Sequence, residues 1–138
     1  MERRRFKNEA PYATLHDFAD AVRQVASEKK VPWIDLHAMS LQLYAALGRE
    51  EPRKAFVHYP AGTFPGQEKK LEDDTHRNAY GGMQLAKCIV EGIRRNLPEL
   101  ATRLRPEIPG YDPLHPDPPD LFRFPASPLR ETAKPAGN

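Results

Sequence analysis

Apolar residues recur at helical intervals in three places. Leu15, Phe18, Ala19, Val22, Val25 and Ala26 line one face of a helix that begins after Thr14 and ends near Lys29 or Lys30, cations suited to a helix C-terminus. Thr14 followed three residues later by Asp17 has the spacing of a capping box with the shorter acid. Met39, Leu43, Tyr44 and Leu47 mark a second helix over 37–47, which Gly48 is placed to close. The third runs from about Asn78 to Arg95. Met83, Ala86, Ile89, Val90, Ile93 and Leu97 give its core face, with Lys87, Glu91, Arg94 and Arg95 outward. Pro98 stops that helix or starts a last turn through Leu104.

Strand signals are fewer. Residues 31–36 form a short apolar run with Pro32 near its start, where a strand tolerates proline, and 55–57 give a second, weaker run. A helix followed by a strand is the unit of a parallel α/β sheet. Asp35 and His37 fall at the carboxyl end of the first run, where open α/β sheets hold their ligands; a helix cap and a surface histidine are their plainer roles. Residues 1–13 are basic and aperiodic, a strand exit or loop. Between 49 and 70, Pro52, Pro60, Pro65, Gly62 and Gly66 break every period, and His58, Tyr59, Pro60 and Phe64 would line a shallow site on that long loop. One clear strand and one weak one offer three amphipathic helices too little sheet. The expectation is therefore that Met1 is internal to a longer domain and that these residues are its C-terminal half.

Composition divides the chain. Of its 15 prolines, nine lie after Arg105, so 1–104 reads as the domain portion and 105–138 as a Pro-rich extended tail. Leu121, Phe122 and Phe124 are an aromatic and apolar anchor that can dock on the domain. Asp112, His115 and Asp117 lie on that tail, and ligands without a folded shell around them hold a metal poorly, so no metal is expected there. A net charge of +2, with acids interspersed among Arg3, Arg4, Arg5, Arg94 and Arg95, points to no nucleic-acid partner. A single cysteine, Cys88, makes no internal disulfide. No stretch approaches the roughly 20 apolar residues of a membrane span, and the first residues lack the apolar core of a secretory signal.

The chemistry concentrates in 71–82. An Asp three residues before a His, on the turn into a helix, can accept the imidazole Nδ1 proton and leave Nε2 free as a base, two thirds of a nucleophilic triad. The competing role is that Asp73 or Asp74 caps the helix and His76 is an ordinary exposed residue. The chain has three serines, Ser27, Ser40 and Ser127, and none follows Gly-Asp.

Three blocks together, 31–40, 56–66 and the Asp73-Asp74-Thr75-His76 stretch with its following helix, resemble the SGNH (GDSL-type) hydrolase superfamily, in particular its rhamnogalacturonan acetylesterase-like branch. The resemblance runs to about Leu104. It implies a three-layer α/β/α fold with a parallel sheet, here incomplete, and hydrolysis of acetyl esters on carbohydrate without metal or organic cofactor. It also implies that Asp73 orients the imidazole and that His76 is the general base. The Gly-Asp-Ser nucleophile block and the Gly and Asn oxyanion blocks of that family are not in this sequence. A triad acts as a unit, and losing its serine costs about 10⁶-fold in a protease. The chain alone is therefore expected to be nearly inactive, with an acetylated carbohydrate as substrate of the full-length protein. Such enzymes commonly work outside the cytoplasm, in secreted or periplasmic form. The alternative is a degenerate, non-enzymatic half-domain that binds a partner or self-associates through its uncovered faces.

Overall fold

The computed structural model describes residues 1–123. Two antiparallel strand pairs and three principal helices make up the fold: β1 (Phe6–Lys7), β2 (Ala10–Pro11), α1 (His16–Lys29), α2 (Leu36–Leu47), a 3₁₀ turn (Glu51–Ala55), β3 (Phe56–Tyr59), β4 (Leu71–Arg77), α3 (Ala79–Asn96) and the single turn α4 (Pro98–Ala101). β1 pairs with β2 and β3 with β4, both antiparallel. Among the described residues there is no parallel ladder, so the observed sheets do not form the expected parallel layer. Among the described residues the run at 31–36 joins no ladder; it turns at Asp35, where the Leu36 amide donates to the Ile34 carbonyl, and its last residue already belongs to α2.

The three helices fall where their periods place them, but α1 leaves most of its expected apolar face uncovered and α3 buries a face other than the expected one. On α1 only Ala26 is buried, while Phe18, Val22 and Val25 are exposed. On α3 the buried residues are Tyr80, Gly81, Gln84, Leu85, Cys88, Glu91 and Gly92, with Met83 and Ile89 outside. The reason is close approach. A Cβ on Gly81 would stand 2.0 Å from the Ala55 carbonyl oxygen, and one on Gly92 would stand 2.2 Å from Ile34 Cγ2. The glycine side of α3 therefore comes against the chain, turning the bulkier apolar side outward.

The core is small. Leu43 and Tyr44 of α2, Ala55, Phe56 of β3, and Tyr80 and Leu85 of α3 form it, with Phe6, Leu36, Leu47 and Phe122 packed around it. Each large apolar side chain removed from water contributes about 2 kcal/mol. Tyr44 and Phe56 add a tilted ring contact at 5.6 Å. Phe122 meets Tyr80 edge-on at 5.6 Å, so the anchor expected on the tail docks through this ring. Leu121 stays exposed; Phe124 lies outside the described residues. The tail also binds through polar groups: Tyr111 Oη donates to Gln84 at 2.8 Å, and the Tyr80 hydroxyl to the Asp117 carbonyl at 2.7 Å. Burial pushes the Tyr80 hydroxyl up to about 12 and the Cys88 thiol up to about 11, which keeps both protonated.

The basic N-terminal segment is structural. Glu2 is fully buried. Its carboxylate accepts from the amides of Thr14 (2.7 Å) and Leu15 (2.9 Å) and from the Thr14 hydroxyl (2.7 Å). It thus ties down the two amides that immediately precede α1, those of the N-cap Leu15 and of Thr14 before it. No side-chain cap hydrogen bond is made at that end by the helix itself, so the expected Thr14–Asp17 capping box does not form.

Candidate active site

Asp73 and His76 lie on β4, one residue pair before α3, in a sharp irregularity of the ladder. Val57 is paired with Asp73, whereas Phe56 is paired with Arg77. Asp74, Thr75 and His76 therefore stand opposite no residue of β3, a bulge that redirects their side chains. Sequence pattern places this stretch on a turn into the helix, because alternation is lost when three residues loop out of a strand.

The bulge closes around one carboxylate. Asp73 Oδ1 accepts from the amides of Thr75 (2.6 Å) and His76 (2.9 Å), and Asp73 Oδ2 lies 2.7 Å from His76 Nδ1. An ionised carboxylate only accepts, so Nδ1 carries the proton and, in the neutral ring, Nε2 has a free lone pair. Hydrogen bonds from the His76 amide, the His76 ring and the Thr75 amide hold the Asp73 carboxyl down at about 2. The His76 side chain is 78% exposed, so its free nitrogen reaches solvent. Neither aspartate caps α3: Asn78 does, accepting from the Gly81 amide at 3.1 Å. The competing capping role is thus overturned.

Asp74 points the other way and ties three segments together. Its Oδ1 accepts from Arg4 Nη1 (3.0 Å) and His58 Nε2 (2.9 Å), and its Oδ2 from Arg5 Nη1 (3.2 Å). Its carbonyl accepts from the Arg4 amide at 2.9 Å. Arg77, next to His76, reaches inward: Nη1 donates to the Thr75 carbonyl at 2.6 Å and Nη2 to the Glu2 carbonyl and the Tyr44 hydroxyl. Its guanidinium sits 4.8 Å from the Phe56 ring centre. The dyad's strand is therefore pinned from both sides. Sequence reasoning missed Glu2, Arg4 and Arg77; polar residues in a segment without period look like solvated surface, and nothing local distinguishes them.

The other candidate positions have structural partners. Asp35 caps α2, accepting from the Ala38 amide at 2.9 Å, and pairs with Arg23 at 3.2 Å. His37 is buried rather than on the surface, with Nε2 3.0 Å from Glu2 Oε2. His58, Tyr59 and Pro60 do line a shallow hollow of about 250 Å³, which Lys70, Leu71 and Glu72 complete. Phe64 packs on Tyr59 at 5.1 Å. Ser40 is fully buried; its hydroxyl donates to the His37 carbonyl and accepts from the Glu2 amide, both at 2.8 Å, which leaves it no access to a substrate. Ser27 is exposed on α1, and Ser127 lies outside the described residues. On the tail, Asp112 bonds His115 at 2.8 Å while Asp117 bonds Gln84 at 2.8 Å and Lys87. Among the described residues no three His, Cys, Asp or Glu side chains gather as a metal site, and no helix is long and apolar enough to cross a membrane.

No family model matches the chain, and no solved structure matches it. It is similar to a curated protein, the rhamnogalacturonan acetylesterase RhgT of Bacillus subtilis (strain 168), with 39% identity over 94 residues, 67% of this chain and 40% of the relative. The chain thus spans about two fifths of the length of the curated relative it matches. Part of the chain is thus similar to part of a rhamnogalacturonan acetylesterase.

Proposed function

We propose that this chain carries the proton-transfer half of a serine carbohydrate esterase, with His76 as general base and Asp73 as the carboxylate that orients it. The nucleophilic serine and the oxyanion donors come from residues outside these 138, and the substrate is an acetylated carbohydrate. The observation that carries this reading is the 2.7 Å contact between Asp73 Oδ2 and His76 Nδ1 on a bulge whose other imidazole edge is open.

In that reaction His76 Nε2 takes the proton of the serine hydroxyl as its oxygen attacks the acetyl carbon. The proton then goes to the departing sugar oxygen, which leaves as an alcohol. Water repeats the cycle on the acetyl-enzyme and releases acetate. Asp73 stays ionised throughout and stabilises the imidazolium. Its depressed carboxyl keeps it charged across the whole pH range in which a histidine acts as a base.

The test is a chimaera in which the matched stretch of the Bacillus subtilis relative is replaced by the corresponding residues of this chain. Hydrolysis of a small acetyl ester that His76→Ala abolishes supports the reading. A folded chimaera without hydrolysis, or one indifferent to His76→Ala, rejects it. A second reading, a non-enzymatic half-domain that binds a partner, draws on the exposed Phe18, Val22 and Val25 of α1. It predicts association without hydrolysis.

A further inference from the structure

The hairpin that carries the dyad has a second feature on the same face. In its register Val57 pairs with Asp73 and Tyr59 with Leu71. Paired residues, and residues two apart on one strand, share a face of the ladder, so Tyr59 and Leu71 stand on the side from which Asp73 holds His76. Leu71 is about 7 Å along the strand from Asp73. The opposite face is already taken: His58 turns there to Asp74, which Arg4 and Arg5 also hold.

On the open face the hairpin loop adds a ring. Phe64 meets Tyr59 edge-on at 5.1 Å and remains 48% exposed, and Leu71 is 36% exposed. The loop is fixed by its own polar contacts. Gln67 Nε2 donates to the Pro60 and Lys69 carbonyls, both at 2.8 Å, and Gln67 Oε1 accepts from the Phe64 amide at 3.2 Å. The Thr63 hydroxyl donates to the Pro60 carbonyl at 2.8 Å, and the Gly62 amide to the Gln67 carbonyl at 2.9 Å. Gly62 and Gly66 supply the left-handed positions of the loop, with φ of 77 and 76°. An aromatic ring that burial does not hold is thus held by its loop. Such preorganisation lowers the entropy cost of binding a ligand.

We propose that Tyr59, Phe64 and Leu71 form a subsite for a sugar ring next to the acetylated one. Chemistry and place select this ligand. A pyranose presents an apolar C–H face between hydroxyl rims, which suits a small exposed aromatic surface edged by polar groups. Lys70 and Glu72 flank Leu71 as an exposed ion pair at 3.0 Å and, with Tyr59, line the hollow at the same rungs of the hairpin. An apolar protein segment would suit the rings but would strip water from that pair. An oligosaccharide whose acetyl group lies at His76 extends past the dyad, and the shelf begins two residues away on the same strand. The inference rests on the esterase reading for the nearby acetyl group.

The full chain is titrated with a deacetylated oligosaccharide of rhamnogalacturonan, the polymer in the name of the Bacillus subtilis relative, and followed by NMR. Saturable shifts are expected at Tyr59, Phe64 and Leu71. Phe64→Ala, at an exposed position, should weaken binding at least about fivefold. Phe18→Ala on α1, also exposed, should leave it unchanged. In the chimaera, Phe64→Ala should raise KM for the acetylated oligosaccharide about fivefold more than KM for a small acetyl ester. No saturable shift at these residues overturns the proposal, as does binding indifferent to Phe64→Ala or weakened as much by Phe18→Ala. Equal changes in KM for the two esters also overturn it, because Phe64 then serves the fold. Binding as expected in a chain whose chimaera hydrolyses no ester upholds the subsite and counts against the esterase reading alone. Hydrolysis of the small ester without binding at the shelf overturns the subsite and leaves that reading in place.

Discussion

The chain contains the Asp-x-x-His spacing twice, and the two copies fold almost alike. In the first, Asp73 Oδ2 lies 2.7 Å from His76 Nδ1 and Asp73 Oδ1 accepts from the Thr75 amide at 2.6 Å. In the second, Asp112 Oδ2 lies 2.8 Å from His115 Nδ1 and Asp112 Oδ1 accepts from the Leu114 amide at 2.9 Å. The imidazoles are similarly open, at 78 and 82% exposure. Both carboxyls are held below the ordinary aspartate value, chiefly by these hydrogen bonds from neighbouring amides and from the imidazole. An aspartate that bonds the amides ahead of it forms an Asx turn, and the turn alone delivers a histidine three residues on. A paired acid and imidazole is thus a local property of the chain, and it does not by itself make a site.

The difference lies in what holds each turn. The first is a bulge in a paired strand, flanked by Asp74 with Arg4, Arg5 and His58 on one side and by Arg77 with Glu2 and Tyr44 on the other. The second lies on the proline-rich segment outside both sheets, tied to α3 at its ends by Tyr111 on Gln84 and Glu91 before it and by Asp117 on Gln84 and Lys87 after it. Catalysis needs a base held to a fraction of an ångström, and a bulge built into a paired strand is the firmer mount than a turn on an irregular segment.

The largest contrast is expected in activity. In the chimaeric esterase, extended to carry this chain through Arg123, His76→Ala should lower kcat for a small acetyl ester by about 10⁴-fold or more. His115→Ala should leave it within about twofold. Comparable losses from both would mean that the clamped surroundings of the first turn do not matter.

The contrast between the two turns also shows what the sequence could reveal. Spacing alone is enough to mark Asp73 and His76 as candidates, because the Asx turn needs no tertiary contact, and for the same reason it marks Asp112 and His115 equally well. The helices were legible because α1, α2 and α3 carry strong local periods. The buried face of α3 was not, since it is set by Gly81 under the Ala55 carbonyl and Gly92 against Ile34, contacts that hydrophobicity does not encode. Residues 31–35 have a strand's pattern but lack a ladder, which depends on pairing with distant residues. Glu2, Arg4 and Arg77 were missed because a buried charge is recognised by its partners, and those partners lie up to 75 residues away.

Removing one side of the clamp should separate the turns in structure. Arg77→Ala leaves the Thr75 carbonyl without its side-chain donor, takes one of two donors from the Glu2 carbonyl, which keeps the Tyr44 hydroxyl, and strips a cation from the Phe56 ring. A loss of about 2 to 4 kcal/mol is expected by denaturant unfolding. The His76 ring signals should move in NMR spectra while those of His115 stay in place. Equal shifts of both, or neither, would show that Arg77 does not position the first turn.

Acid should weaken the same clamp by way of Glu2. Burial alone would raise its carboxyl, but hydrogen bonds from the Thr14 hydroxyl and from the amides of Leu15, Arg3 and Thr14 together outweigh it and hold it at about 2 instead of the ordinary 4.5. The folded value is the lower one, so the stabilisation is complete above pH 4.5 and is lost as pH falls toward 2. Its size is on the order of a few kcal/mol or less. Glu2→Gln should be less stable at neutral pH and lose less on acidification through that window. Parallel curves for the two proteins would remove Glu2 from the account.

The smallest effect should be the loss of either carboxylate from its own turn, measured as stability. Each pairs with an exposed histidine, and exposed ion pairs contribute little against water and salt. Asp73→Ala and Asp112→Ala should therefore each shift Tm by only about 2 °C, and by similar amounts. In the chimaera, however, Asp73→Ala should cost about 10⁴-fold in kcat, because the imidazole loses both its tautomer and its partner when it becomes charged. Asp112→Ala should cost nothing there. A large drop in Tm for Asp73→Ala would place that carboxylate in the fold's stability, and its effect on rate would then say little about how it orients His76.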